Sequence, residues 1–120
     1  MNSKETFPKI SHFYENNLKA MYRDIIHYEL AEGIEEKQLM KVAQGILDKW
    51  MKDQPGFISW EIHKNNIGHY TDIVTWDSEK NAKKAELSMA QLADAADWFA
   101  CYKEDSIRSE NLKRLTIFPK

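Results

Sequence analysis

The stretch from Pro55 to Asp77 constrains the fold more than any other part of the chain. Two β-rich runs, Phe57 to His63 and Tyr70 to Trp76, flank the turn Asn65-Asn66-Ile67-Gly68, and such a pattern is a strong short-range hairpin signal. In the first run Ile58, Trp60 and Ile62 point one way while Ser59, Glu61 and His63 point the other, because successive strand side chains leave opposite faces. The facing of the second run depends on loop length. A loop of two or four residues, the reading adopted here, sets Trp60 near Ile73 and gathers Phe57, Ser59, Glu61, His63, Tyr70, Asp72, Val74 and Trp76 on the other face. A three- or five-residue loop swaps the second strand, since a slip of one residue reverses every side chain.

Around the hairpin, the other elements follow from period. Asp24 to Ala31 alternates Ile26, Tyr28 and Leu30 with Ile25, His27 and Glu29, which predicts a first strand. Leu39, Val42, Ala43, Ile46, Leu47 and Trp50 recur at three and four residues after Glu35 and Glu36. That is an amphipathic helix with acids at its positive end, stopped by Asp53-Gln54-Pro55-Gly56. Asp77 or Ser78 caps a second, alanine-rich helix from Glu79 whose stripe is Ala82, Ala85, Met89, Leu92, Ala93, Ala96, Phe99 and Ala100, with Ser88 a point where it can divide. Leu112 to Phe118 alternates Leu115 and Ile117 with Arg114, Thr116 and Phe118 and predicts the last strand. The order is βαββαβ, an α+β ferredoxin-like fold with both helices on one face of a four-stranded antiparallel sheet.

Size and charge bound the function. A chain of 120 residues suits one domain, read here as an N-terminal extension over 1–22 and a ferredoxin-like α+β barrel domain over 23–120. Seventeen basic against nineteen acidic residues give a net charge of −2, which lacks the basic footprint of a nucleic-acid binder. No apolar run resembles a signal peptide or membrane span, and the lone Cys101 has no partner for an internal disulfide. The expectation is a cytoplasmic protein without membrane or nucleic-acid partners, with Cys101 a buried structural thiol.

The run Trp76-Asp77-Ser78-Glu79, a strand ending in Trp that enters a capped helix, follows the Pro55-Gly56-Phe57 helix-to-strand turn. On these features the chain resembles the antibiotic-biosynthesis monooxygenase family of dimeric α+β barrels over about residues 24 to 118. The resemblance implies a homodimer with two sheets facing each other, a small-ligand pocket in each subunit between sheet and helices, and oxygenation of aromatic or quinol substrates without a metal or prosthetic group. Many members carry a His on the second helix about ten residues after the Trp. Here that region reads Lys83-Lys84-Ala85-Glu86-Leu87, and the first strand has no Asn, which disfavours the haem-degrading branch with its Asn, Trp and His triad.

With the short even loop, His27, Glu29, Ser59, Glu61, His63, Tyr70, Asp72, Trp76, Arg114 and Thr116 share the sheet face away from the helices. His63 and Tyr70 become cross-strand neighbours, as do Glu61 and Asp72, and two close carboxylates raise one another's pKa toward general-base range. The candidate catalytic residues are therefore His27, His63 and Tyr70, with Glu61, Asp72, Trp76 and Arg114 as ligand-binding groups. The same face also reads as a wet dimer interface or as ordinary hydrogen-bonded barrel residues. No glycine-rich phosphate loop, nucleophile elbow or paired-cysteine motif occurs, so neither cofactor nor metal is expected. Three function classes stand: a cofactor-independent monooxygenase acting on a small aromatic or quinone-type molecule, a non-catalytic ligand-binding or regulatory dimer, and a structural subunit whose extension reaches a partner.

Overall fold

The computed structural model describes residues 21–120; of the N-terminal extension expected over 1–22, residues 1–20 lie outside that range, and Tyr22 already belongs to the first strand. Four strands, β1 (Tyr22–Tyr28), β2 (Phe57–Lys64), β3 (Tyr70–Trp76) and β4 (Arg108–Lys113), form one antiparallel sheet in the order β2-β3-β1-β4. Helices α1 (Glu36–Lys49), α2 (Glu79–Met89) and the short α3 (Ala95–Phe99) pack against one face. This is the expected α+β ferredoxin-like βαββαβ fold.

Local chemistry accounts for the helices. Leu39, Ala43 and Ile46 bury one stripe of α1 against Tyr28, Tyr70 and Val74 of the sheet, and full burial of a Leu or Ile side chain contributes about 1.5–3 kcal/mol. Helix α2 starts at Ser78, whose Oγ accepts the Asn81 N–H at 3.2 Å, and its buried residues are the small Ala82 and Ala85. Between the two helices, Gly56 adopts φ +81°, and a Cβ there would collide with Asp77 Oδ1 and with Asn81 Nδ2 at 2.6 Å. Only glycine lets this turn come so close to the α2 cap. The Trp50 indole N–H then donates to Ser88 Oγ at 3.2 Å, joining the far ends of α1 and α2.

Two expectations are corrected. The hairpin loop has five residues, not two or four: Lys64 pairs with Tyr70, His63 with Thr71, Ile62 with Asp72, Glu61 with Ile73 and Trp60 with Val74. Asn65 explains the length. Its side-chain oxygen accepts from the backbone of Ile67 and His69, both at 3.0 Å, and its own N–H donates to the His69 carbonyl at 2.9 Å, while Gly68 takes φ +82°. The odd loop turns Tyr70, Asp72, Val74 and Trp76 toward the helices, and Thr71, Ile73 and Thr75 toward the open face beside Ser59, Glu61 and His63.

The last strand is the other correction. It spans Arg108–Lys113 rather than Leu112 to Phe118, and pairs Arg108 through Lys113 with His27 through Tyr22. The alternating apolar groups of the tail lie mostly outside the core, with Leu115 76% and Phe118 89% exposed. Ser109 and Asn111 occupy the inward positions of the real strand, opposite Ile26 and Asp24. Hydrophobic alternation therefore gave no sign of it.

Candidate functional site

A cavity of about 370 Å³ opens between the inner sheet face and helices α2 and α3. Its floor is Asp24 and Ile26 of β1, Trp60 of β2, and Asp72, Val74 and Trp76 of β3. A wider, more open groove of about 490 Å³ runs between α1 and β2, but its lining carries no titratable group. Buried polar chemistry distinguishes the smaller cavity, and it has two ends.

Asp72 holds the first end. Its side chain is buried to 1% exposure and Oδ1 accepts the Tyr28 hydroxyl at 2.8 Å. Aromatic rings enclose it: Tyr102 lies over Tyr28 with centroids 4.2 Å apart, Trp98 meets Tyr102 edge-on at 5.2 Å, and Trp60 meets Trp98 edge-on at 5.1 Å. Removal from water disfavours the carboxylate and pushes the Asp72 pKa up to about 6, against the hydrogen bond from Tyr28 and the donors of Trp60 and Tyr102, which pull it down. Those last two donors face the carboxylate without completing hydrogen bonds to it, and Trp60 Nε1 and Tyr102 OH are buried with no partner among the described residues. Burial, reinforced by the neighbouring Asp72 charge, drives the Tyr28 hydroxyl far above the usual phenol range.

At the other end stands Asp24, beside the mouth formed by Lys83, Glu86, Phe99 and Ile107. With its amide nitrogen turned toward β1, Asn111 donates to Asp24 Oδ1 at 2.9 Å and accepts from Tyr22 OH at 3.2 Å. Burial raises the Asp24 pKa, and the Glu86 charge adds to the rise. Trp76, 3% exposed, turns its indole N–H toward Asp24 and lowers that pKa, but also falls short of a completed bond.

No family model matches the chain, and no curated protein matches it in sequence. Solved structures do match in fold. SnoaB, a cofactor-independent oxygenase from Streptomyces nogalater, superposes with TM-score 0.68 at 13% identity, covering 84% of this chain and 99% of that one. The monooxygenase ActVA-Orf6 of Streptomyces coelicolor, solved with the ligand nanaomycin D, gives 0.59 at 15% over 85% and 95%. The chain shares the ferredoxin-like α+β fold of these monooxygenases. That fold does not prescribe one reaction, for a hydroxynitrile lyase from Passiflora edulis shares it, with TM-score 0.53 at 17% identity over 84% and 99%.

Within this fold, the residues singled out from sequence separate. Asp72 and Trp76 line the cavity, on the helix side of the sheet rather than the open side. Tyr70 is buried on that same side, stacked 5.8 Å from Tyr28, but its hydroxyl donates to Glu36 Oε1 at 2.8 Å, an oxygen that also receives Lys64 Nζ at 2.7 Å. His27, Glu61 and His63 stay on the open face. His27 bonds Thr71 Oγ1 at 2.9 Å and Glu110 Oε2 at 3.3 Å; His63 pairs with Glu61 at 3.0 Å in the open. Arg114 follows β4, its N–H donating to the Met21 carbonyl at 2.9 Å, and is absent from the cavity lining. The expected pairs His63 with Tyr70 and Glu61 with Asp72 do not form, since the five-residue loop puts each partner on the opposite face. Among the described residues no group of three or more His, Cys, Asp or Glu side chains converges as a metal site.

Sequence reasoning missed Tyr28 and Tyr102 as partners of Asp72, and Asp24 and Asn111 altogether. A signal for Asp24 existed: it shares strand parity with Ile26 and Tyr28, so an acid was due on the apolar face. Asn111 gave none, lying in a strand whose inward residues are polar.

Proposed function

We propose that this protein oxygenates a small phenolic or quinol-type aromatic molecule without a cofactor, with Asp72 as general base in place of His27, His63 or Tyr70. The observation that carries the reading is a buried carboxylate with a pKa of about 6, facing an aromatic cavity beside two unengaged donors. A base of that pKa is mostly ionised at pH 7. A phenol with a pKa near 10 leaves a gap of about four units, or roughly 5 kcal/mol, which the base alone does not close. Hydrogen bonds to a charged group contribute about 1.5–3 kcal/mol each, so Trp60 Nε1 and Tyr102 OH together can offset most of it by stabilising the phenolate.

The resulting anion is electron-rich enough to reduce dioxygen. Addition of O2 at the ring C–H para to the ionised oxygen gives a peroxide that takes back the proton held by Asp72, and loss of water from the resulting hydroperoxide leaves a quinone carbonyl. One oxygen atom ends in the product, the other in water, and every electron comes from the substrate. The similarity to SnoaB and ActVA-Orf6 supports this chemistry over others on the fold.

Oxygen uptake with a panel of phenols and quinols is the test. Wild-type protein should consume O2 with at least one member, and Asp72→Asn should lower kcat at least about a hundredfold, as loss of a general base does, while still binding the same compound. Ligand-dependent rises in melting temperature without uptake would replace the oxygenase with a ligand-binding protein. A homodimer formed through the open sheet face belongs to the same proposal. That face presents Leu112 and the half-buried Ile73 among its polar groups.

A further inference from the structure

The cavity carries unfilled hydrogen-bonding capacity at both ends, and the two ends ask for the same kind of group. At the Asp72 end one carboxylate oxygen takes the Tyr28 hydroxyl, while Trp60 Nε1 and Tyr102 OH have no acceptor among the described residues. At the Asp24 end, Asn111 uses its amide on Asp24 and Tyr22, and Trp76 Nε1 is left without an acceptor. A buried donor left unsatisfied is costly, so whatever fills the cavity must meet it. Asp24 and Asp72 lie on the same face of neighbouring strands, Asp24 opposite Val74 and Asp72 opposite Ile26. That makes them diagonal neighbours, with backbones about 7–8 Å apart.

A group that satisfies either end must donate to a carboxylate and accept from an indole N–H. A hydroxyl does both. A carbonyl or methyl ether only accepts, an ammonium only donates, and a carboxylate would meet an acid of its own sign. We infer that the Asp24, Asn111 and Trp76 end is a second hydroxyl-recognition subsite, so that the preferred ligand is an arene with hydroxyl groups at two separate positions. Asp24 and Trp76 then set specificity and orientation, directing one hydroxyl to Asp72. This rests on the oxygenase reading for what happens at Asp72, but the subsite itself is a matter of binding.

Calorimetric titration under nitrogen, where turnover is excluded, tests it with 2,6-dihydroxynaphthalene, 6-methoxy-2-naphthol and 2-naphthol. Wild-type protein should bind the diol about tenfold or more tighter than either of the others, the ratio expected for a hydrogen bond to a charged group. In Asp24→Asn the ratio of diol to 2-naphthol should fall to within about threefold, with 2-naphthol affinity itself little changed. Trp76→Phe, which keeps an aromatic ring and removes only the donor, should weaken the diol and the methyl ether together. Equal binding of all three by wild-type protein overturns the subsite and leaves the Asp72 reading in place. Failure of all three to bind overturns both. Should Asp24→Asn not fold, the wild-type ratios and Trp76→Phe decide the matter.

Discussion

Asp72 is acidic, buried and enclosed by aromatic rings, and what makes it useful also makes it expensive to fold. Its native pKa of about 6 lies above the unfolded value near 3.9. Between those values the native state holds the proton more tightly, so stability is greatest below about pH 4 and falls as pH rises through about 6. Two pKa units correspond to about 3 kcal/mol. Asp72→Asn should therefore be more stable than wild type at pH 8, by about 1–3 kcal/mol, with the advantage gone by pH 4; urea midpoints across this range would show it. A variant that gains stability while losing turnover separates chemistry from scaffold. Tyr28→Phe tests the same residue from its partner's side. The Tyr28 hydrogen bond holds the Asp72 pKa down, so its loss should move the acid limb of kcat/KM upward by about one pH unit. An unmoved limb would mean that another group is the base.

At the scale of elements, the strands and helices were readable wherever pattern and burial coincide. Leu39, Ala43 and Ile46 repeat at helical spacing and are buried, and Ser78 caps α2 where a cap was expected. Two features escaped for identifiable reasons. Hairpin parity was decided by Asn65, whose side chain holds a loop one residue longer than the even reading allows. Strand β4 faces a cavity instead of a core, so its inward residues are polar and its true span looked like a loop. Of the catalytic candidates chosen from sequence only Tyr70 depended on that parity, and it turned to the helix side with Asp72 and Trp76, while His27 and His63 lie on the open face. The Gly56 turn gives a direct test of element packing. Gly56→Ala combines a left-handed backbone with a collision at Asp77 and Asn81, and should cost at least about 2 kcal/mol in chemical denaturation. A loss below about 0.5 kcal/mol would show that the α2 cap can withdraw.

For the whole molecule, helices on one side leave the second sheet face to be covered or wetted. The even-loop reading placed Phe57, Val74 and Trp76 on the face away from the helices. Val74 and Trp76 are buried in the core, and Phe57 packs edge-on against Trp76 at 5.8 Å. The case for a dimer that stands is more polar: Leu112, 47% exposed on the β4 edge opposite Arg23, on a face that also carries His27, Glu61, His63 and Glu110. Sedimentation at micromolar concentration should give the mass of two chains, and Leu112→Glu should shift it toward one while leaving circular dichroism unchanged. A wild-type mass of one chain would remove the dimer and leave the Asp72 cavity untouched, since every residue described in that cavity comes from one chain.

The five residues that close the hairpin carry a consequence for heredity. Strand β3 presents acid and indole to the cavity on one side and threonines on the other, so a gene that gains or loses a single codon between Lys64 and Tyr70 exchanges the two sides in one step. Changes of two codons preserve them. Among descendants of this sequence, length variation at that loop should accumulate in even steps, and a lineage that crosses to the other parity should be found to have abandoned Asp72 as well.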